Sequence, residues 1–414
     1  MTPLSDLTRA FARIGVLSFG GPAAQIALMH RELVEERKWV TEQDYLSALS
    51  FCMLLPGPEA MQLATWIGWR MHGTLGGLIA GLLFVLPGAA VVLALSMIYA
   101  AFGHVPLIAA LFTGVQAAVV AVVIEALLRV SKRALKTREH WGIAGLAFVA
   151  LFFFGLPFPV LILAAGAYGF ITSMAKAQPL DTPQPWAATA RALLIWGAVW
   201  LVPLALIILW HPGIYADIAV YFSKLAMVTF GGAYAVLAWM SQSVVAEQHW
   251  LTVPQMMDGL GLAETTPGPL ILVTEFVAYM AAYQKHGLAG GIFGAVIALW
   301  MTFAPCFLWI FAGAPWIARL TAAPRLAGAL KAITAAVVGV IANLSLWFAA
   351  HVFFRIVTRI DSTPFHLIVP DFTTLNWAPG LIAIAAAYLL LRLHQSLPLV
   401  LALAAAASAA ATLL

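Results

Sequence analysis

Long apolar runs, each closed by a short polar cluster, fill almost the whole chain, and several are interrupted by glycine and proline. Leu4 to Met29 is one apolar element broken at Phe19-Gly20-Gly21-Pro22. A charged segment, His30 to Lys38, follows and reads as a solvated face; next comes Asp44 to Arg70, broken at Pro56-Gly57-Pro58. Proline removes a backbone donor and stops a helix, and glycine permits backbone angles closed to other residues. Leu75 to Tyr99 and Leu107 to Leu128 are unbroken and long enough for membrane spans, which need about 20 apolar residues. Arg129 to Arg138 reads as a basic loop, and Trp141 to Ile171 as a helical hairpin turning at Gly155-Leu156-Pro157-Phe158-Pro159. Ala175 to Thr189, with Pro179, Pro183 and Pro185, is a linker, and Ala192 to Trp210 is one further span.

The broken runs occur twice. Phe19-Gly20-Gly21 returns as Phe230-Gly231-Gly232, Trp39-Val40-Thr41 as Trp250-Leu251-Thr252, and Pro56-Gly57-Pro58 as Pro267-Gly268-Pro269, all at an offset of 211 residues. His72-Gly73 returns as His286-Gly287, and Ala117-Ala118-Val119-Val120 as Ala335-Ala336-Val337-Val338, at offsets of 214 and 218. Insertions of three and then four residues are each about one helical turn, so a helix absorbs them without turning its packing face far. The chain is therefore a duplication: a first copy over 1–174, a linker and unpaired span over 175–214, and a second copy over 215–414.

Charge sets the expected orientation. His30 to Thr41 holds Arg31, Arg37 and Lys38, whereas its counterpart Ser241 to Thr252 holds no Lys or Arg. Arg129 to His140 holds five basic residues, and Val352 to Asn376 only Arg355 and Arg359. Gly313 to Lys331 reverses the bias, with Arg319, Arg325 and Lys331 against none in Leu95 to Thr113. Basic loops mark the cytoplasmic side, so the two copies are expected to lie in opposite orientations, with the unpaired span supplying the odd crossing. Inverted repeats with broken helices at the midplane are an architecture of secondary transporters.

Composition agrees with a membrane protein. Of 414 residues 63% are hydrophobic and 9% charged, against about 25% charged in soluble domains. The fold class expected is all-α and integral to the membrane, and the long runs exclude a β-barrel. Met1 to Ala10 lacks the layout of a cleaved signal peptide, so the first apolar element is expected to belong to the fold. Cys52 and Cys306 stand at non-equivalent places and suggest neither a disulfide framework nor a metal site. The net charge of +4 comes from basic residues at the ends of apolar runs, which is not a nucleic-acid signature. No Gly-x-x-x-x-Gly-Lys loop is present, and no histidine-rich motif or serine–lysine dyad in register, so neither ATP coupling within the chain nor an intramembrane enzyme is expected, and no cofactor.

The ordered set Phe-Gly-Gly-Pro, Trp and Pro-Gly-Pro, twice repeated, resembles the chromate transporter family in its long two-domain form, over essentially the whole chain. The resemblance implies export of chromate, a tetrahedral dianion, from the bacterial cytoplasm across the inner membrane, and chromate resistance. The second copy departs from the first: Pro22 becomes Ala233 and Glu59 becomes Leu270. Sulfate has the shape and charge of chromate, and nothing in the sequence separates them. An oxyanion channel or a sulfate transporter is the alternative. The lipid bilayer is the other expected partner, and a homodimer is an assembly the sequence leaves open.

The candidate site follows from the breaks. A helix restarted after a break presents free N–H groups and the positive end of its dipole, which favour an anion. Four restarts are available, after Gly21, Gly57, Gly232 and Gly268, and none is closely followed by a Lys or Arg: the second broken segment has none until Arg70. Gln25, Gln62, Thr65, Thr265, Thr266 and Thr274 are candidate neutral donors. With Phe19, Gly20, Gly21, Pro22, Pro56, Pro58, Phe230, Gly231, Pro267 and Pro269 they make up the expected substrate site. Glu59, Glu264 and Glu275 are the expected coupling or gating groups, because a carboxylate inside a membrane is costly and one beside a dianion must take up a proton to tolerate it.

Overall fold

The computed structural model describes residues 2–103, 105–173, 185–230, 233–321, 323–362 and 365–413. Gly231, Gly232 and most of the linker lie outside the described residues. The chain divides into two compact units. The first comprises Met1–Met97, Thr172–Ala233 and Thr266–Ala327; the second comprises Ile98–Ile171, Tyr234–Thr265 and Gly328–Leu414. Each unit therefore draws on both sequence copies.

In the first unit, the opening run is two helices, α1 (Leu4–Leu17) and α2 (Gly21–His30), separated at Ser18-Phe19-Gly20. A π-helical turn, Arg31–Glu36, continues α2. It turns Glu32 inward, where Arg13 and Arg37 approach its two oxygens, each at 3.5 Å; the segment is thus a solvated face in part only. Thr41 caps α3 (Glu42–Cys52) by accepting from the Asp44 N–H at 3.1 Å. Pro56-Gly57-Pro58 then separates α3 from α4 (Glu59–Phe102).

The stretch α4 is two helical arms joined at His72-Gly73, where the chain reverses and Gly73 has φ +59° and ψ −153°. A side chain on Gly68 would meet the Gly76 carbonyl and Ala80 Cβ, and one on Gly81 would meet Thr65 Oγ1. In a straight helix residues eight apart are about 12 Å apart, so these approaches require two antiparallel arms. Small residues let the arms pack backbone to backbone.

The same device closes the second half of the unit. After α5 (Pro106–Ala134), α6 (Arg138–Phe154) and α7 (Phe158–Thr172), α8 (Trp186–Trp210) crosses as a peripheral helix in which only Trp200 is buried. Trp186 to Thr189, expected in the linker, is already helical. Then come α9 (Ile214–Val228), α10 (Ala233–Ala246), α11 (Val253–Thr265), a 3₁₀ turn Leu270–Leu272, and α12 (Val273–Gly313). Helix α12 reverses at Gly287, φ +64°, where a side chain on Gly294 would meet Ala282 and the Ala278 carbonyl. Helices α8 and α9 pack on α12, and short α13 (Ile317–Thr321) packs on α3.

The second unit is built on α5. Beyond α14 (Pro324–Phe353) and a hairpin of β1 (Val357–Ser362) and β2 (Phe365–Pro370) come α15 (Trp377–Leu391) and α16 (Leu397–Leu413), both packed along α5. Ala118, Ala121 and Val122 of α5 meet Ala386, Val400 and Ala404. The antiparallel hairpin lies in what the sequence suggested was a loop, and is the sole sheet among the described residues. The basic stretch after Leu128 is helical as far as Ala134, which places Lys132 and Arg133 in the last turn of α5, where the helix dipole favours cations.

Among the described residues, five helical stretches are long and apolar enough to cross a membrane: Glu59–Phe102, Pro106–Ala134, Trp186–Trp210, Leu270–Thr321 and Pro324–Phe353. Leu194 of α8 is 75% exposed and Leu163 of α7 is 72% exposed, as lipid-facing residues are. The chain is a multi-pass, all-α membrane protein with one small hairpin added.

Candidate functional site

Both kinds of break meet in the first unit, and they meet reciprocally. At the first, Gly20 and Gly21 both take positive φ, +86° and +76°, and Pro22 enters the first turn of α2. At the Pro-Gly-Pro segments the flanking prolines offer no donor, and Gly57 and Gly268 stand at φ +124° and +91°. The Gly57 N–H donates to the Thr229 carbonyl at 2.9 Å, and the Gly268 N–H to the Ser18 carbonyl at 2.8 Å. Ser18 and Thr229 are equivalent in the duplication, and each hydroxyl donates back to its own helix, at Ile14 and Leu225, both at 2.6 Å. Each Pro-Gly-Pro is therefore seated on the broken helix of the other copy.

The surroundings correspond as well. Gly268 lies against Gly88, which follows Pro87 in the second arm of α4. Gly57 lies against Cys306, which follows Pro305 in the second arm of α12. Gln25 Nε2 donates to the carbonyls of Gly268 at 2.6 Å and Ser18 at 3.3 Å, and Gln62 Nε2 donates to that of Pro56 at 2.7 Å. These amides brace the breaks. Thr65, Thr265 and Thr274 donate to carbonyls within three or four residues of themselves. Five of the six candidate neutral donors thus donate to the protein's own backbone, as do the Gly57 and Gly268 N–H groups. Phe19 is exposed, Phe230 and Pro22 are half-buried, and Thr266, Pro267 and Pro269 are buried.

The three glutamates are distributed unequally. Glu59 is the first residue of α4, half-buried beside Pro58, where the helix dipole favours its charge. Glu275, in the first turn of α12, is 1% exposed, and its Oε2 has no hydrogen-bond partner. Glu264 stands apart, in the second unit, at the end of α11. There the Tyr234 hydroxyl donates to its Oε1 at 2.9 Å, beside a cavity of about 10 Å³ lined by Val119, Val123, Leu260 and Leu344. Such a cavity has room for about one water.

Asp258, which the sequence did not single out, is a further buried carboxylate, on α11 and 4% exposed. Gly88, Ser18 and Thr229 were also passed over. The one available signal for Ser18 and Thr229 was their shared position just before the duplicated Phe-Gly-Gly. Among the described residues, no three His, Cys, Asp or Glu gather in a way that could hold a metal ion.

The profile of the chromate transporter family matches residues 5–170 and 216–410. This chain belongs to the chromate transporter family. Between the two matched regions the profile leaves out 171–215, which include α8. The chromate transport protein of Cupriavidus metallidurans is 31% identical over 82% of this chain and 80% of its own length. That of Pseudomonas aeruginosa is 33% identical over 81% and 79%, and a probable chromate transport protein of Synechococcus elongatus is 30% identical over 82% and 83%. No solved structure matches this chromate transporter family member.

Proposed function

We propose that this protein is a secondary transporter that exports a tetrahedral oxyanion, most of all chromate, from the cytoplasm across the inner membrane. Its relatives transport chromate by name, and that supports the substrate. The observation that carries the site is the reciprocal pair of backbone bonds, Gly57 N–H to Thr229 and Gly268 N–H to Ser18. Two donors at helix restarts, freed from their carbonyls, offer a dianion hydrogen bonds and two positive dipole ends without any buried Lys or Arg. In this reading the two carbonyls bonded by Gly57 and Gly268 stand in for substrate oxygens while the site is unloaded. Loading therefore exchanges Ser18 and Thr229 for chromate, and this swap ties anion binding to movement of the breaks. Opposite orientation of the two copies makes the exchange equivalent from either side. Glu59, Glu264 and Glu275 couple it to protons.

Radiolabelled chromate flux into and out of proteoliposomes carrying the purified chain, with sulfate as competitor and imposed pH gradients, tests this. Chromate accumulation driven by the pH gradient is the expected result. Downhill flux alone, unresponsive to the gradient, would replace the transporter with an oxyanion channel, and preferential sulfate movement would make it a sulfate carrier.

A further inference from the structure

The second unit holds a buried carboxylate whose partners are unusual. Asp258 Oδ2 accepts from the Tyr99 hydroxyl at 2.7 Å, and Oδ1 from the Gln116 amide at 2.8 Å. Asp258 comes from α11, Tyr99 from the last turn of α4 and Gln116 from the first half of α5, all within one unit. Helix α11 is pressed onto α5 there: a side chain on Gly261 would meet Val115. Among the described residues no Lys, Arg or His pairs with Asp258. On the elements that form or pack against this site, the other ionisable groups are Glu59, Arg70 and His72 of α4, Lys132 and Arg133 in the last turn of α5, Tyr388 of α15, and the following pairs. Tyr234 of α10 is bonded to Glu264, and Glu125 of α5 is paired with Arg129. Helix α16 has no ionisable side chain, and Glu264 is the other carboxylate of α11.

We propose that Asp258, with Tyr99 and Gln116, is a proton-binding site of the transport cycle, separate from the carboxylates next to Pro-Gly-Pro. The argument is one of satisfiability. An Arg, a Lys or backbone N–H groups can only donate, and so hold a carboxylate in its charged form. A phenol hydroxyl both donates and accepts, and an amide carries a donor end and an acceptor end. Ionised, Asp258 accepts from both neighbours, as observed. Protonated, it donates its O–H to Tyr99 Oη after a rotation of the hydroxyl, or to Gln116 Oε1 after a turn of the amide. In either state both oxygens of Asp258 keep a hydrogen-bond partner, so the carboxyl itself escapes the penalty of about 1–3 kcal/mol that an orphaned group carries. Glu264 with the Tyr234 hydroxyl repeats the arrangement on the same helix, 2.9 Å apart. Helix α11 thus carries two carboxyl–phenol pairs and leads directly into the Pro-Gly-Pro at 267–269.

This inference rests on the proton-coupled reading above, and the test keeps the two apart. Wild-type chain, Asp258→Asn, Asp258→Glu and Tyr99→Phe are reconstituted at equal protein levels, and chromate flux is measured from pH 5 to 9 with and without an imposed pH gradient. Protons taken up on chromate binding are counted by calorimetry in buffers of different ionisation enthalpy. Asn fits the same three-residue geometry, so the expected result is retained chromate exchange, loss of the acceleration by the pH gradient, and a lower proton count. Asp258→Glu restores the gradient response in part, and Tyr99→Phe displaces the midpoint of the pH profile. A wild-type pH profile and proton count in Asp258→Asn overturns the proposal, as does drive by a sodium gradient that Asp258→Asn abolishes. No chromate flux in the wild type defeats the transport reading itself. If Asp258→Asn fails to accumulate, Tyr99→Phe decides, and a wild-type profile there overturns the proposal.

Discussion

At the scale of single residues, the site depends on places where a side chain cannot be added. A Cβ on Gly88 would meet the carbonyl oxygen of Pro267, which is backbone and held by the Pro-Gly-Pro turn. A Cβ on Gly57 would meet Gln62 Nε2 at 2.6 Å and Cys306 Sγ at 2.9 Å, both on side chains. Gly88→Ala should therefore destabilise by about 3 kcal/mol, the upper end of overpacking, and chromate flux should be lost with it. Gly57→Ala should destabilise as well, by roughly 1–3 kcal/mol from an Ala held at φ +124°, and transport poorly, because Gln62 must release Pro56 to make room. Thermal unfolding in detergent beside flux at matched protein levels checks both; wild-type stability of Gly88→Ala would show that the Gly88 approach relaxes freely. Glu275 has the opposite character. It is buried with one oxygen unpartnered, a cost the native protein bears without a packing reason. Glu275→Met should raise stability by about 1–3 kcal/mol and remove part of the pH response of flux. A variant that is more stable and keeps the full pH profile would take Glu275 out of the coupling.

At the scale of elements, the breaks were legible in the sequence and the reversals were only half so. Pro-Gly-Pro and Phe-Gly-Gly act on their own backbone, so their effect is local and visible. His72-Gly73 separates two apolar runs, which were read as distinct elements, but nothing local says that the second arm folds back on the first. That outcome depends on Gly68 meeting Gly76, a contact across the turn. Asp258 was illegible for the same reason: its partners are 159 and 142 residues away. The β-hairpin was missed because the segment between α14 and α15 is polar enough to pass for a loop. The reversals themselves make a prediction. Gly73 and Gly287 have positive φ, yet a side chain on either would meet nothing within 4 Å. Gly73→Ala should thus cost only backbone strain, roughly 2 kcal/mol, and leave flux intact in whatever protein folds. Gly142→Ala, in open space inside α6 at an ordinary helical φ, is the control and should be neutral or slightly stabilising. Loss of both folding and flux in Gly73→Ala would mean that the turn has contacts beyond its own backbone.

At the scale of the whole molecule, the remaining question is whether the two copies are inverted in the membrane. The exchange of basic residues between equivalent loops is the ground for expecting it, and α6 gives an independent argument within the second unit. Arg133 lies in the last turn of α5, four residues before α6 begins at Thr137-Arg138. At the other end of α6, Phe154 packs on Phe365 of β2, with ring centres 5.5 Å apart, and β2 pairs with β1. The 17 residues of α6 put about 25 Å between those ends, close to the thickness of the hydrocarbon core. The loop after α5 and the hairpin after α14, which are counterparts in the duplication, thus lie at opposite ends of one helix. Cysteines introduced at Arg133 and at Val357, with the buried Cys52 and Cys306 left in place, should react with a membrane-impermeant thiol reagent from opposite sides: Arg133→Cys from the cytoplasm and Val357→Cys from outside. Intact cells should label the second alone, and inverted vesicles the first alone. Labelling of both from one side would defeat the inverted arrangement, and with it the equivalence of the two carbonyl-for-chromate exchanges on which alternating access at the breaks depends.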